Sequence, residues 1–294
     1  MTFFAMPIFL GNLFQQLYNT VDSLIVGNFL GSSALAAVSS SGSLIFMLIG
    51  FLSGISAGAG VIVARFFGAG DEKNLQRAVH TTVAFGLVAG VLMTGVGVAL
   101  SPQILRWMDT PESVMRESVT YLQIYFAGSL GFVMYNVLVG ILQAVGDSRH
   151  PLYYLIVSSV INLVLDLLFI TGFHTGVGGA AVATVISQIV SALLCFWQLL
   201  RTKESYGLKI RKIRFDKGIL VQIIKIGLPS GVQNSIIAFA NVIVQSNINA
   251  FGEMAMAVRG PVFWWNSPQS ATRTTPLSEG SCPPEATEES MTRG

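Results

Sequence analysis

Two carboxylates stand in stretches that are otherwise apolar, and the chemistry of this chain has to be sought there. Asp22 closes the run Gln15-Gln-Leu-Tyr-Asn19-Thr-Val-Asp22, and Asp166 closes Asn162-Leu-Val-Leu-Asp166 with Leu-Leu-Phe-Ile beyond it. Neither has a basic residue within a helical turn. A carboxylate taken out of water without such a partner stays ionised only if it holds a cation, and otherwise takes up a proton. Either outcome describes an ion-binding site. Gln15, Asn19 and Asp22 are four and three residues apart and Asn162 and Asp166 are four apart, so on helices each set shares a face. Carboxylate, amide and hydroxyl oxygens together suit a hard cation such as Na⁺. Thr184, in Ala180-Ala-Val-Ala-Thr184-Val, offers a hydroxyl, although a threonine within a helix also bonds back to its own carbonyls. Asp22 alone would equally suit a cap or an interfacial position near the outer end of its helix.

Other chemistry finds no support. The sequence contains no phosphate-binding loop, zinc motif or nucleophile elbow, so an enzyme is not expected and ATP does not drive the chain directly. His80, His150 and His174 fall in different connections or helix ends, and their spacing makes no metal cluster. Of the two cysteines, Cys195 lies in an apolar run as a small hydrophobe, and nothing suggests a disulfide framework. No cofactor is called for beyond a coupling ion, H⁺ or Na⁺.

The elements that must position these residues are membrane helices. Of the 294 residues 52% are hydrophobic and 11% charged, with a mean hydropathy of +0.64, whereas soluble domains carry about 25% charged residues. The apolar residues come in blocks longer than about 18, the signature of spanning helices rather than of a barrel's alternating strands. An all-α, polytopic membrane fold is predicted, with apolar segments at about 3–29, 35–67, 75–100, 119–142, 151–170, 178–200 and 219–251. A net charge of +2 gives no reason to invoke nucleic acid. No cleavable signal peptide is visible, because the first apolar stretch lacks a charged leader and carries Gln15, Gln16, Asn19 and Asp22.

Basic residues set the expected orientation. Arg65, Lys73, Arg77, Arg149, Arg201, Lys203, Lys209, Arg211, Lys212, Arg214 and Lys217 fall in connections on one side, against Arg106 and Arg116 on the other. That bias of eleven to two predicts a cytoplasmic N-terminus in a multi-pass inner (plasma) membrane protein. The connection 201–217 reads as a solvated topogenic linker or, more sharply, as a site for anionic lipid. Gly50, Gly54 and Gly58, and Gly86 and Gly90, recur every four residues and predict close helix crossings, or an interface that slides. Pro7 to Asn12 can be laid over Pro229 to Asn234 at an offset of 222 residues, which also pairs Asn19 with Asn241 and Phe29 with Phe251. The seventh segment therefore reads as a second copy of the first, in a parallel repeat of six spans.

These residues resemble the multidrug and toxic compound extrusion (MATE) family. The likeness runs from Pro7 through Gln16, Tyr18-Asn19 and Val21-Asp22 to Val26-Gly27, Gly31 and Ala34-Leu-Ala-Ala37. It continues at Gly68-Ala-Gly70, Gln143-Ala-Val-Gly146-Asp147, Pro151, Asn162 to Asp166 and Gly176 to Thr184. It covers roughly residues 3–257, with Leu167 standing where many members have proline. The resemblance implies two lobes of six helices and export of amphiphilic or cationic small molecules in exchange for H⁺ or Na⁺. It also implies a monomer, with a cation site in the first lobe on Asp22, Asn162, Asp166 and Thr184; Gln15 and Asn19 are possible supports. The expected organisation is a lobe at 1–200, a basic connection at 201–218, the first helix of a second lobe at 219–257 and a tail at 258–294. The tail is rich in proline, serine and threonine and is expected to be disordered or out of frame from near Ala257–Val258, which would leave an inactive fragment. A lipid-linked precursor flippase of related fold is the alternative, but the helices offer no basic residues for its cavity. A seven-span receptor fits neither the charge bias nor the repeat.

Overall fold

The computed structural model describes residues 2–249 apart from His174, Lys203, Ile210 and Lys212. The tail 258–294, the junction at Ala257–Val258, Phe251 and the side chain of Asn241 lie outside what is described. Helix covers all seven apolar segments. In order they are α1 (Thr2–Gly68), α2 (Glu72–Trp107), α3 (Glu112–Ala127), α4 (Ser129–Ala144), α5 (Arg149–Leu167), α6 (Val177–Arg201) and α7 (Lys217–Asn249). Among the described residues four helices are long and apolar enough to cross a membrane, or five if the bent pair α3 and α4 counts as one span. The part of α1 ahead of Leu48 and the whole of α7 are helical as well.

Three departures from the expected segments have local causes. The first two segments share one helical run, broken only at Gly31, whose φ of 87° and ψ of −176° are open to glycine and closed to most other residues. This divides α1 into a first arm (2–30) and a second arm (32–68). The fourth segment is not one helix. It breaks at Gly128 and bends by 50°, and Val185 of α6 fills the space that a side chain at 128 would need. The connection between the third and fourth segments is also shorter than expected. The span from Ser101 to Ser113 is helix except for Met108–Pro111, and Ser101 is fully buried, its hydroxyl donating to the Gly97 carbonyl at 2.5 Å.

Packing divides into two cores at opposite ends of the bundle. One joins Ile62 and Val63 of α1, Val79 of α2, Leu138 and Leu142 of α4, Leu199 of α6 and Ile223 of α7. The other joins Val26 and Val38 of α1, Leu105 of α2, Leu122 and Phe126 of α3 and Ala181 of α6. The outward faces stay apolar, with Val88, Val91, Leu92 and Val96 on α2 and Val157, Val160 and Val164 on α5 exposed. Such a band suits lipid rather than water. Trp107 and Trp197 stand exposed near helix ends, where interfacial tryptophans gather. In lipid, helices associate mainly through close packing, and the second arm of α1 shows it. A Cβ on Gly54 would collide with the backbone of Gly231, and one on Gly58 with the backbone of Gly227. The Asn234 amide adds a bond of 3.4 Å to the Gly50 carbonyl. The glycine spacing thus serves a backbone-to-backbone crossing with α7.

The basic connection is not a free linker. His80, expected at a connection or helix end, lies inside α2 with only 3% of its surface exposed. Its Nδ1 is 2.5 Å from the Gln76 carbonyl, and its Nε2 accepts from the Lys209 backbone N–H at 3.1 Å. Next to it, the Thr81 hydroxyl accepts from the Asp216 N–H at 3.2 Å. Asp216 in turn accepts from Gly218 and Ile219 at the start of α7 and lies 3.7 Å from Arg77. Ser205 donates to Glu72 at 2.5 Å. Backbone groups of the connection are thereby fastened along the first turns of α2.

Candidate functional site

The first arm of α1 and α5 lie side by side, and between them is a groove of about 220 Å³ lined by Phe14, Val21, Asp22, Ile25, Asn162 and Asp166, among others. Asp166 is fully buried and Asn162 exposes 1% of its surface. Asp22 and Asp166 both line this groove. Two carboxyls set side by side cannot both be ionised unless something positive lies between them, whether a shared proton or a cation. With its nitrogen turned toward Asp166, the Asn162 amide donates to Asp166 Oδ2 at 2.7 Å and its oxygen accepts from the Thr184 N–H at 3.2 Å. That assignment follows from the partners available. Asp22 Oδ1 and Asp166 Oδ1 are buried and have no hydrogen-bond partner. Two orphaned carboxylate oxygens on one groove form a donor set fit for a proton or a small hard cation.

The other expected ligands sit further out. The Thr184 hydroxyl donates to Ala180 at 3.0 Å, one turn back in its own helix, as a helical threonine commonly does. Gln15 is not in the carboxyl groove but lines a larger cavity, and Asn19 lines neither. Directly after Asp166, α5 widens into a π-turn, Leu168–Gly172, in which Phe173 N–H bonds to Leu168 at 3.1 Å. It begins just past Leu167. Such turns recur beside functional sites.

Sequence reasoning missed the larger cavity. Its volume is about 330 Å³, and Gln15, Ser53, Ser56, Tyr135, Asn136 and Gln188 contribute polar groups to it. No residue lining it carries a full charge, and Gln188 Oε1 and Ser148 Oγ, both on its wall, have no partner. The available signal was Asn136 and Gln188 in otherwise apolar segments, which single-residue inspection weighs below a carboxylate. Among the described residues no group of His, Cys, Asp and Glu has the makings of a metal cluster, and Cys195 is buried and free.

The described residues form a bundle of apolar helices with an outward apolar surface and two carboxylates on one inner groove. The chain belongs to the MatE family of transporters, whose model matches residues 7–168. It is 34% identical over 89% of its length to the probable multidrug resistance protein YoeA of Bacillus subtilis. It is 25% identical over 90% of its length to the multidrug export protein MepA of Staphylococcus saprophyticus. It spans 58% of the length of each of these relatives. Among solved structures, an inward-facing multidrug resistance MATE family transporter of the MOP superfamily matches with a TM-score of 0.78 at 29% identity. That match covers 85% of this chain and 57% of the other. An outward-facing structure of such a transporter matches with a TM-score of 0.74 at 26% identity, covering 88% and 62%.

Proposed function

We propose that this chain contributes the ion-coupling half of an exporter that moves amphiphilic organic cations or drugs out of the cell in exchange for H⁺ or Na⁺. Asp22 and Asp166 carry the ion, Asn162 orients Asp166, and Thr184 supports the amide through its backbone. The observation that carries this reading is one groove lined by two carboxylates that each keep one buried oxygen without a partner. Among the described residues no basic side chain lines the carboxyl groove or the larger cavity, which favours drug export over a lipid-linked precursor flippase. The coupling ion enters as cargo. It is taken from one side when the groove is open and given up on the other, and the carboxyl pair changes charge as it does so.

The site can be tested in the chain itself. In liposomes, a jump in pH or Na⁺ should produce an infrared difference signal in the carboxyl C=O region. Asp166→Asn should remove it and Asp22→Asn should reduce it, with folding intact by circular dichroism. Where efflux of a fluorescent cation is measured, Asp166→Asn should abolish the ion-driven component. An unchanged signal in both variants ends the proposal.

The proposed orientation, with the N-terminus and the 201–217 connection in the cytoplasm, is tested by single cysteines in a Cys282→Ser background. In intact cells Asp109→Cys should react with an impermeant thiol reagent and Glu204→Cys should not. The reverse pattern overturns it.

A further inference from the structure

The end of the bundle that carries the basic connection holds a second cavity, of about 460 Å³, between the first turns of α2 and the connection into α7. Its wall brings together Lys73 and Arg77 of α2 with Arg214 of the connection, residues more than a hundred positions apart in sequence. One carboxylate shares the wall, Asp216, and it is already committed. It faces Arg77 at 3.7 Å and caps α7 through the Gly218 and Ile219 N–H groups. Asp71, just outside, accepts from Asn74 and lies near Lys73. Lys73 and Arg214 form no ion pair among the described residues. Three cations against one carboxylate leave the wall with a net charge of +2. His80 and Thr81, at the back, are tied to the connection through Nε2 and Oγ1, and His80 Nδ1 to the Gln76 carbonyl of its own helix, so the floor is fixed and the rim is cationic. Exposed Phe215 adds an apolar edge.

We propose that this cavity binds a phosphate-bearing anion, with Lys73, Arg77 and Arg214 on the phosphate and Phe215 against whatever apolar part the ligand carries. The shared chemistry is the phosphate group, which either the headgroup of an anionic phospholipid or free inorganic phosphate supplies. Bound there, the anion joins α2 to the connection and holds the start of α7 in place. A cluster of basic residues at the inner surface of a membrane is where anionic lipid concentrates. The inference rests on the proposed orientation only for the lipid source; the anion site itself is independent of transport and of the carboxyl groove.

The test uses the full chain in nanodiscs of phosphatidylcholine, with and without phosphatidylglycerol. The readouts are lipid retained in native mass spectrometry and thermal stability. Phosphatidylglycerol should be retained selectively and should raise the unfolding temperature. Lys73→Gln with Arg214→Gln, which leaves the Arg77–Asp216 pair in place, should weaken this roughly fivefold per charge removed. Arg149→Gln with Arg211→Gln removes the same charge away from the cavity and should weaken retention clearly less than the Lys73/Arg214 pair does. Millimolar inorganic phosphate in pure phosphatidylcholine discs distinguishes the sources. Stabilisation there, lost in the Lys73/Arg214 variant, assigns the site to free phosphate, and its absence alongside selective phosphatidylglycerol retention assigns it to the lipid headgroup. Equal loss in both double variants, or no response to either ligand, overturns the proposal.

Discussion

The two arms of α1 are halves of one helical run and do opposite work. The first arm lies against α5, leaves Phe14, Leu17, Leu24 and Phe29 exposed, and carries Asp22 to the groove it shares with Asp166. The second arm is locked in the middle. Leu52, Ala59, Ile62 and Val63 are buried, and Gly54 and Gly58 press on the backbone of α7. Gly31 separates them with a backbone conformation outside the helical region. The difference teaches that polar chemistry is held on the arm with fewer packing commitments, where a change of charge can become a change of position. The central arm supplies the fixed frame against which such a movement has meaning.

The largest effect should come from filling the glycine crossing. Gly58→Leu drives a side chain into the Gly227 backbone, which cannot rotate away, and should cost about 3 kcal/mol or prevent folding outright. Gly58→Ala should cost roughly 1–3 kcal/mol. Gly95 of α2 has open space within 4 Å of where a methyl group would stand. Gly95→Ala should therefore be neutral or stabilise by up to about 1 kcal/mol through helix propensity. Thermal unfolding in detergent gives the ranking, and a Gly58→Ala protein as stable as Gly95→Ala would break the reading of the second arm as a fixed frame. By the same comparison Asp166→Asn should spare stability while removing the ion response described above.

A middle-sized effect is expected at the clamp. His80→Ala leaves the Lys209 N–H without its acceptor, a loss of roughly 0.5–1.5 kcal/mol for one part-buried hydrogen bond. Hydrogen exchange should speed up across 204–216 while the α1–α7 crossing stays protected. Uniform acceleration across all helices would show instead that the clamp is part of the central frame.

Much of this was legible in the sequence, and the limits are physical. The helical segments and the carboxyl pair stood out because a membrane core tolerates neither polar backbone nor unpaired charge. The glycine crossing showed in its spacing, but the partner helix did not. The break at Gly128 left no trace, since Ala-Gly-Ser inside an apolar run is equally at home in a straight helix; what decides it is Val185, far along the chain on α6. Gln15 shares a helix face with Asp22, yet seven residues are about 10 Å of rise, enough to put the amide in the neighbouring cavity. His80 was misjudged because its partner, Lys209, is 129 residues off and contributes only its backbone.

The smallest effect concerns a carboxylate in water, the counterpart to the buried pair. Asp71 caps α2, accepting from the Asn74 N–H at 3.1 Å and from the Asn74 amide at 2.6 Å. The backbone bond above all, then the amide and the charges of Lys73 and Arg77, hold its carboxyl below the ordinary value of 3.8. A carboxyl lowered by folding stabilises the fold fully above its unfolded value, and the contribution drains away as pH falls through the folded value. Acidification below 3.8 should therefore loosen the first turn of α2, seen as faster exchange at Asn74 and Leu75. Asp71→Asn keeps a capping oxygen but cannot titrate, so its first turn should be slightly looser at neutral pH and indifferent to acid over the same range. The effect should be small and weakened further by salt, because the group is exposed. If the Asp71→Asn variant loses first-turn protection in acid as the parent does, the titrating group lies elsewhere, and the carboxyl groove becomes the place to look.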